Sequence, residues 1–171
     1  MRTIAVDMDG VLADVLALFL DLDARDFGRR KTLEEIEGVP ELQAFARIHE
    51  YLHTDGFFRK PSVIADSQDV LYRLNQSYNV YIVSAATEYP KSLTDKQAWL
   101  NEHFPFITWQ QIVFCGSKQI IRADLMIDDH LKNLDFFPGE TYLFHAPHNA
   151  QLEAPRHRRV RSWREIATLL L

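Results

Sequence analysis

The sequence predicts an α/β fold: a parallel sheet with helices on both faces and a small helical cap inserted after the first strand. Three observations carry this. Short apolar runs rich in β-branched residues recur along the chain, helical apolar stripes lie between most of them, and residues 15–61 break the rhythm. Strand alternating with helix implies parallel strands covered on both sides.

The elements follow in order. Thr3–Val6 is too short for a buried helix and reads as a buried strand. Residues 15–61 are helix-like and charged, without a convincing strand. They hold Phe19, Phe27, Phe45, Tyr51, Phe57 and Phe58. This stretch reads as a small helical cap over the mouth of the sheet, with residues 1–14 and 62–171 as the core. Most of its aromatics read as the cap's own packing. Ser67–Asn75 places Val70, Leu71 and Leu74 on one face, and Leu93–Phe104 carries Leu93, Ala98, Trp99 and Leu100, so both predict helices. Val80–Val83, Ile112–Phe114, Leu125–Ile127 and Tyr142–Phe144 supply further buried strands. The run Arg156–Arg164 contains five arginines and a histidine. A solvated edge strand through Val160 explains it more simply than a phosphate-binding strip. Ser162, with Glu165 three positions on, opens a terminal helix through Ile166–Leu170.

Composition bounds the function. With 171 residues, 47% of them apolar, the chain can bury one sizeable core. A net charge of -5 argues against wrapping a nucleic acid polymer through a basic face but permits a small anionic substrate in a local positive pocket. Cys115 stands alone, so no internal disulfide forms, and the cytoplasm is the expected compartment. Two carboxylates by Asp9 are unlike a secretory signal. The longest apolar run, Val15–Leu20, falls far short of the roughly twenty residues of a membrane span.

The strongest local signal is Asp7-Met8-Asp9-Gly10-Val11, two carboxylates where the first strand stops. A calcium loop does not fit, because Gly10 sits at the fourth position and Val11 where an oxygen ligand belongs. In open parallel sheets ligands bind outside the carboxyl ends of the strands. Ser84 follows Val80–Val83, Lys118 lies three residues after Cys115, and Asp128 with Asp129 follow Leu125–Ile127. Four strands thus deliver carboxylates, a hydroxyl and an ammonium to one edge. That set matches phosphoryl transfer through a covalent aspartyl intermediate. Asp7 is the candidate nucleophile, and Asp9 the acid and base. Ser84 and nearby backbone amides orient phosphoryl oxygens, Lys118 balances charge, and Mg2+ lets the carboxylates stay ionised together.

These motifs resemble those of the haloacid dehalogenase superfamily of phosphohydrolases, with Asp7-x-Asp9, Ser84, Lys118 and Asp128-Asp129 standing for its four motifs. Within it, residues 7–14, 123–129, Phe57-Phe58 and the segment 144–149 are most similar to the 5′(3′)-deoxyribonucleotidases. The resemblance implies a Rossmann-like core and a magnesium-dependent phosphomonoesterase acting on a small phosphate ester, a nucleoside monophosphate above all. A sugar phosphate, or a non-catalytic phosphate-binding module, is the alternative. No membrane or nucleic acid polymer is expected as a partner, and a homodimer is left open. The metal ligands implied are the Asp7 side chain, the Asp9 carbonyl and Asp129, with Asp128 as its neighbour orienting water or Lys118. Phosphate binding falls to Ser84, Ala85 and Lys118. Ala85 replaces a second hydroxyl residue, and Val15 stands where the family carries a base-stacking phenylalanine, so stacking passes to Phe58 or Tyr51. His145 and His148 read as a surface loop near the crevice, because imidazole suits magnesium poorly. Lys96 reads as a solvated helix face, and Asp14 either caps the first cap helix or bonds within the crevice.

Overall fold

The computed structural model describes residues 1–171. Six parallel strands form the main sheet: β1 (Thr3–Val6), β4 (Asn79–Ser84), β5 (Ile112–Phe114), β6 (Leu125–Asp128), β7 (Glu140–Phe144) and β8 (Arg158–Val160). Their order is β5-β4-β1-β6-β7-β8. The chain runs outward from β1 through β4 to β5, then returns to β6 on the other side of β1 and runs outward again. Neighbouring connections therefore diverge at the β1/β6 boundary, where a crevice opens beyond the strand ends. Ile4 pairs with Val80 on one side and Leu125 on the other.

Alternation along the strands assigns the two faces. Ile4, Val6, Val80, Ile82, Leu125, Ile127, Tyr142 and Phe144 cluster with Leu71 and Leu74 of α5 (Ser67–Ser77), Trp99 of α6 (Ser92–His103), and Trp163 and Ile166 of α8 (Trp163–Leu170). The intervening Ala5, Val83, Met126 and Leu143 pack with Leu134 of the short α7 (Leu131–Leu134) and with Phe137. Helix coverage is thus uneven. Between β5 and β6 no α-helix intervenes, only a single 3-10 turn at Lys118–Ile120.

The segment after β1 departs from the sequence reading in one respect. Ala13–Asp14 (β2) and Ser62–Val63 (β3) pair antiparallel, with Ala13 opposite Val63, and close the neck of the helical stretch. Strands of two residues are too short to show alternation, which is why the pattern hid them. Between them lie α1 (Val15–Phe27), α2 (Leu33–Ile36), α3 (Glu41–Ala44) and α4 (Ile48–Leu52). Asp14 caps α1, its Oδ1 accepting from the Ala17 amide at 2.9 Å, and Gly28 ends the helix at φ +76°. Val15, Phe19, Phe45, Tyr51, Phe57 and Phe58 form a separate apolar cluster, whereas Phe27 is exposed. Arg158–Val160 of the arginine run form the edge strand β8, with Arg159 on Asn149, while Arg164, already in α8, bonds to Asp66. Ser162 Oγ caps α8 through the Glu165 amide, while the Glu165 carboxylate takes the Arg161 amide, not that of Ser162.

Two buried indoles join the loops at the strand ends to the core. Trp163 Nε1 donates to the Val11 carbonyl and Trp99 Nε1 to the Pro61 carbonyl, each at 2.8 Å. A Trp163→Phe substitution keeps most of the apolar volume but orphans the Val11 carbonyl. It is expected to cost roughly 1–3 kcal/mol, read as a lowered urea midpoint at unchanged slope.

Candidate active site

The turn after β1 is built by backbone bonding. The Asp7 amide donates to the Ile127 carbonyl at 2.9 Å, which ties the turn to β6. The Met8 carbonyl then accepts from the amides of Leu12 and Ala13 at 2.8 and 2.9 Å. Gly10 adopts φ +76°, and a Cβ there would run into Asp129 Oδ2. Only glycine meets both demands. The amides of Asp9 and Ala85 donate to no acceptor within the chain.

Around this turn the side chains form an ordered charge network. Lys118 is buried, and its Nζ lies 2.6 Å from Asp7 Oδ1 and 2.7 Å from Asp128 Oδ2. Asp7 Oδ1 also accepts from the Met8 amide at 2.7 Å, which leaves Oδ2 without a hydrogen bond. Asp128 is fully engaged, since it also accepts from the His130 amide and from Asn133 Nδ2. Asp129 differs. Its Oδ1 is buried without a partner, as is Asp9 Oδ1. Buried polar atoms are rarely left unpaired without a reason.

Lys96 belongs to this network and is not on a solvated face. It is 3% exposed, and its Nζ donates to Asp9 Oδ2 at 2.6 Å and to Ser84 Oγ at 2.9 Å, above the Phe58 ring. The signal was present in the sequence, because Lys96 falls on the same stripe of α6 as the buried Ser92, Trp99 and Leu100. Asp7, Asp9, Ser84, Ala85, Lys96, Lys118 and Asp129 all line one cavity of about 450 Å³, a size suited to a small organic ligand. Phe58 lines it too, but Tyr51 does not. Burial in the insert's apolar cluster holds Tyr51 away, with its hydroxyl on Asp26 Oδ2 at 2.9 Å. Phe19, one of the insert's aromatics, and the partly exposed Tyr89, which the sequence reading left aside, line the cavity instead. Phe19 stands one helical turn beyond Val15 on α1. His130 and His148 also line the cavity, whereas His145 does not.

The charge balance points to a cation. Four carboxylates (Asp7, Asp9, Asp128 and Asp129) face two ammonium groups (Lys96 and Lys118). Burial pushes the Asp7 carboxyl from its ordinary 3.8 up to about 7, with Lys118 opposing and Asp128 and Asp9 reinforcing the rise. Burial, with Asp7, Asp128 and Glu41 nearby, also raises Asp129 well above the carboxylate range. For Lys118, burial works against the charge, but Asp128 and Asp7 outweigh it and push its pKa up. One carboxylate oxygen from each of Asp7, Asp128 and Asp129 lies within 4.8 Å of the others. Hard oxygen donors, an excess of two negative charges and two orphaned oxygens fit a magnesium ion.

An acid whose folded pKa lies above its unfolded value destabilises the native state as pH rises between the two. In metal-free buffer, Asp7→Asn should therefore gain stability relative to the parent chain as pH rises from about 4 to 7. Paired urea titrations across that range check this, and a pH-independent difference would contradict it.

A family model described as "5' nucleotidase, deoxy (Pyrimidine), cytosolic type C protein" matches residues 1–171. A Bacillus subtilis protein named 5'(3')-deoxyribonucleotidase is 40% identical over 173 residues, covering 99% of each chain. Among solved structures, a haloacid dehalogenase-like hydrolase from Streptococcus pneumoniae superposes with a TM-score of 0.63 at 14% identity, covering 99% of this chain and 98% of that one. The magnesium-bound HAD-hydrolase YfnB from Bacillus subtilis gives 0.58 at 19% identity with the same coverage. These two share the fold. The full-length match of the family model, with 40% identity to a relative of equal span, places this chain in the deoxy (pyrimidine), cytosolic type C family of 5′ nucleotidases.

Proposed function

We propose that this chain is a magnesium-dependent phosphomonoesterase that hydrolyses deoxyribonucleoside monophosphates through an aspartyl phosphate on Asp7. The observation that carries the reading is the asymmetry of the Asp7 carboxylate. Oδ1 is held by Lys118 and the Met8 amide, and Oδ2 is free in a residue lining the cavity. A carboxylate fixed through one oxygen presents the other as an oriented nucleophile.

The substrate phosphoryl group is received by the Ser84 hydroxyl, the free amides of Asp9 and Ala85, and Lys118. Asp7 Oδ2 bonds to phosphorus as the ester P–O bond breaks, and Asp9 passes its proton to the departing oxygen. Asp9 then takes a proton from water as the water oxygen bonds to phosphorus. The Asp7–phosphorus bond breaks, and inorganic phosphate leaves. Asp7, the Asp9 carbonyl and Asp129 would hold magnesium, with Asp128 committed to Lys118 and Asn133. When bound, the metal supplies neutralising charge for phosphate and carboxylates.

The helical stretch 15–61 acts as a cap that supplies specificity. Phe58 of the cap and Tyr89, on the core loop after β4, offer aromatic faces to a nucleobase, at 6.1 Å from one another. The Bacillus subtilis relative's name supports a deoxyribonucleotide over a sugar phosphate.

Release of inorganic phosphate across ribo- and deoxyribonucleoside monophosphates, sugar phosphates and an aryl phosphate tests the reading. Deoxyribonucleotides should give the highest kcat/KM, and activity should vanish on chelation and return with magnesium. A sugar phosphate preferred over every nucleotide would overturn the substrate assignment. Asp7→Asn should lower turnover by roughly a thousandfold or more with folding retained. Asp9→Asn should lower it by about 10²–10⁴-fold and slow both half-reactions. Ordinary turnover by Asp7→Asn would exclude the nucleophile.

A further inference from the structure

Every carboxylate of the acidic edge but one is held through its own oxygens. Asp7 and Asp128 accept from Lys118, and Asp9 accepts from Lys96. The Asp129 carboxylate has no such anchor. Its Oδ1 is buried without a partner, and its Oδ2 lies 3.6 Å from His148 Nε2, beyond hydrogen-bond reach. The aim of this carboxylate is therefore set through the main chain.

That main chain is clamped at both ends of one peptide unit. The His130 amide donates to Asp128 Oδ1 at 2.9 Å. The Asp129 carbonyl accepts from Asn149 Nδ2 at 2.8 Å and from His148 Nε2 at 3.0 Å, one donor for each lone pair. Asn149 ends the turn 147–149 after β7, is fully buried, and has every polar position of its side chain in use. Nδ2 gives its second proton to the Phe144 carbonyl at 2.8 Å, while Oδ1 accepts from Arg159 Nη1 at 2.6 Å and from the Ala146 amide at 3.2 Å. Carbonyls only accept, so the side-chain amide fits in one orientation alone. Arg159, on β8, closes the far side, its Nη2 donating to the carbonyls of Asn149 and Leu152, each at 3.0 Å. A continuous chain of bonds thus runs from the edge strand β8 through Asn149 to the peptide that follows Asp129.

We propose that Asn149, braced by Arg159, is a positioning residue of the metal site: by fixing the peptide after Asp129 it holds that carboxylate in the acidic cluster with Asp7 and Asp128. Asn149 does not line the cavity, so it acts through Asp129 and not on the substrate. The inference rests on Asp129 being a magnesium ligand in the proposed reaction. Outer-shell groups that orient a ligand are worth about 10–100-fold in metal affinity.

The test is calorimetric titration of the full, metal-stripped chain with magnesium, beside steady-state kinetics at varied magnesium. Asn149→Ala should raise the magnesium dissociation constant by about tenfold or more. The magnesium concentration that gives half the maximal rate should rise in parallel, whereas the substrate KM at saturating magnesium should stay unchanged. Arg159→Met removes the brace, should shift magnesium affinity in the same direction, and serves if Asn149→Ala does not fold. Val70→Ala, which loosens the buried face of α5, should keep the parent affinity; a loss there equal to that of Asn149→Ala would reduce the effect to general destabilisation and overturn the proposal. Asp129→Asn should weaken magnesium at least as much as Asn149→Ala. If Asp129→Asn binds magnesium like the parent, the metal assignment itself fails and the positioning role with it. If Asp129→Asn loses affinity while Asn149→Ala and Arg159→Met keep it, the positioning role alone is overturned.

Discussion

The bond on which the site depends is the bridge of Lys118 between Asp7 and Asp128, at 2.6 and 2.7 Å. It joins the end of β1 to the end of β6 across the boundary where the chain's connections diverge. Without that ammonium, two buried carboxylates from adjacent strands would face each other with no intervening charge, and one would be driven neutral. With it, Asp128 is saturated, Asp7 is fixed through one oxygen, and Asp129 Oδ1 is left buried and unpartnered beside them. The glycine at position 10 matters for the same reason, since it lets the β1 turn pass beside the Asp129 carboxylate.

The sheet gives this arrangement its rigidity. β1 and β6 are buried on both faces, and their register with each other and with β4 sets the relative heights of Asp7, Ser84 and Asp128 at one edge. The proposed specificity elements come from a different source. The helical insert has its own apolar cluster and meets the core at its two-strand neck and where Phe58 lies under Lys96. Its family fixes the chain as a phosphoric monoester hydrolase; the proposed choice of substrate depends on this inserted layer.

Much of the core was legible because buried parallel strands write themselves as unbroken apolar runs, and the polar residues that end those runs must lie at the edge of the sheet. Asp7, Ser84 and Asp128 were readable on that ground alone. Lys96 was misread because a lysine on a helix is ordinarily solvated; its burial depends on Asp9 and Ser84, which lie 87 and 12 positions away. Tyr51 and Phe58 were harder still. An aromatic in the insert can serve the insert's packing or the cavity, and only the tertiary path of α1 and α4 separates Tyr51, on Asp26, from Phe58, under Lys96. The pairing of Ala13 with Val63 left no trace in the sequence, because two-residue strands carry no period.

Double displacement at phosphorus is the claim on which the proposed chemistry rests, and stereochemistry tests it most directly. A thiophosphate ester whose two non-bridging oxygens are different isotopes, hydrolysed in water of the third isotope, gives a chiral inorganic thiophosphate; it passes through one inversion if water attacks directly, and through two if Asp7 attacks first. Net retention of configuration is the predicted result, and net inversion would contradict the account.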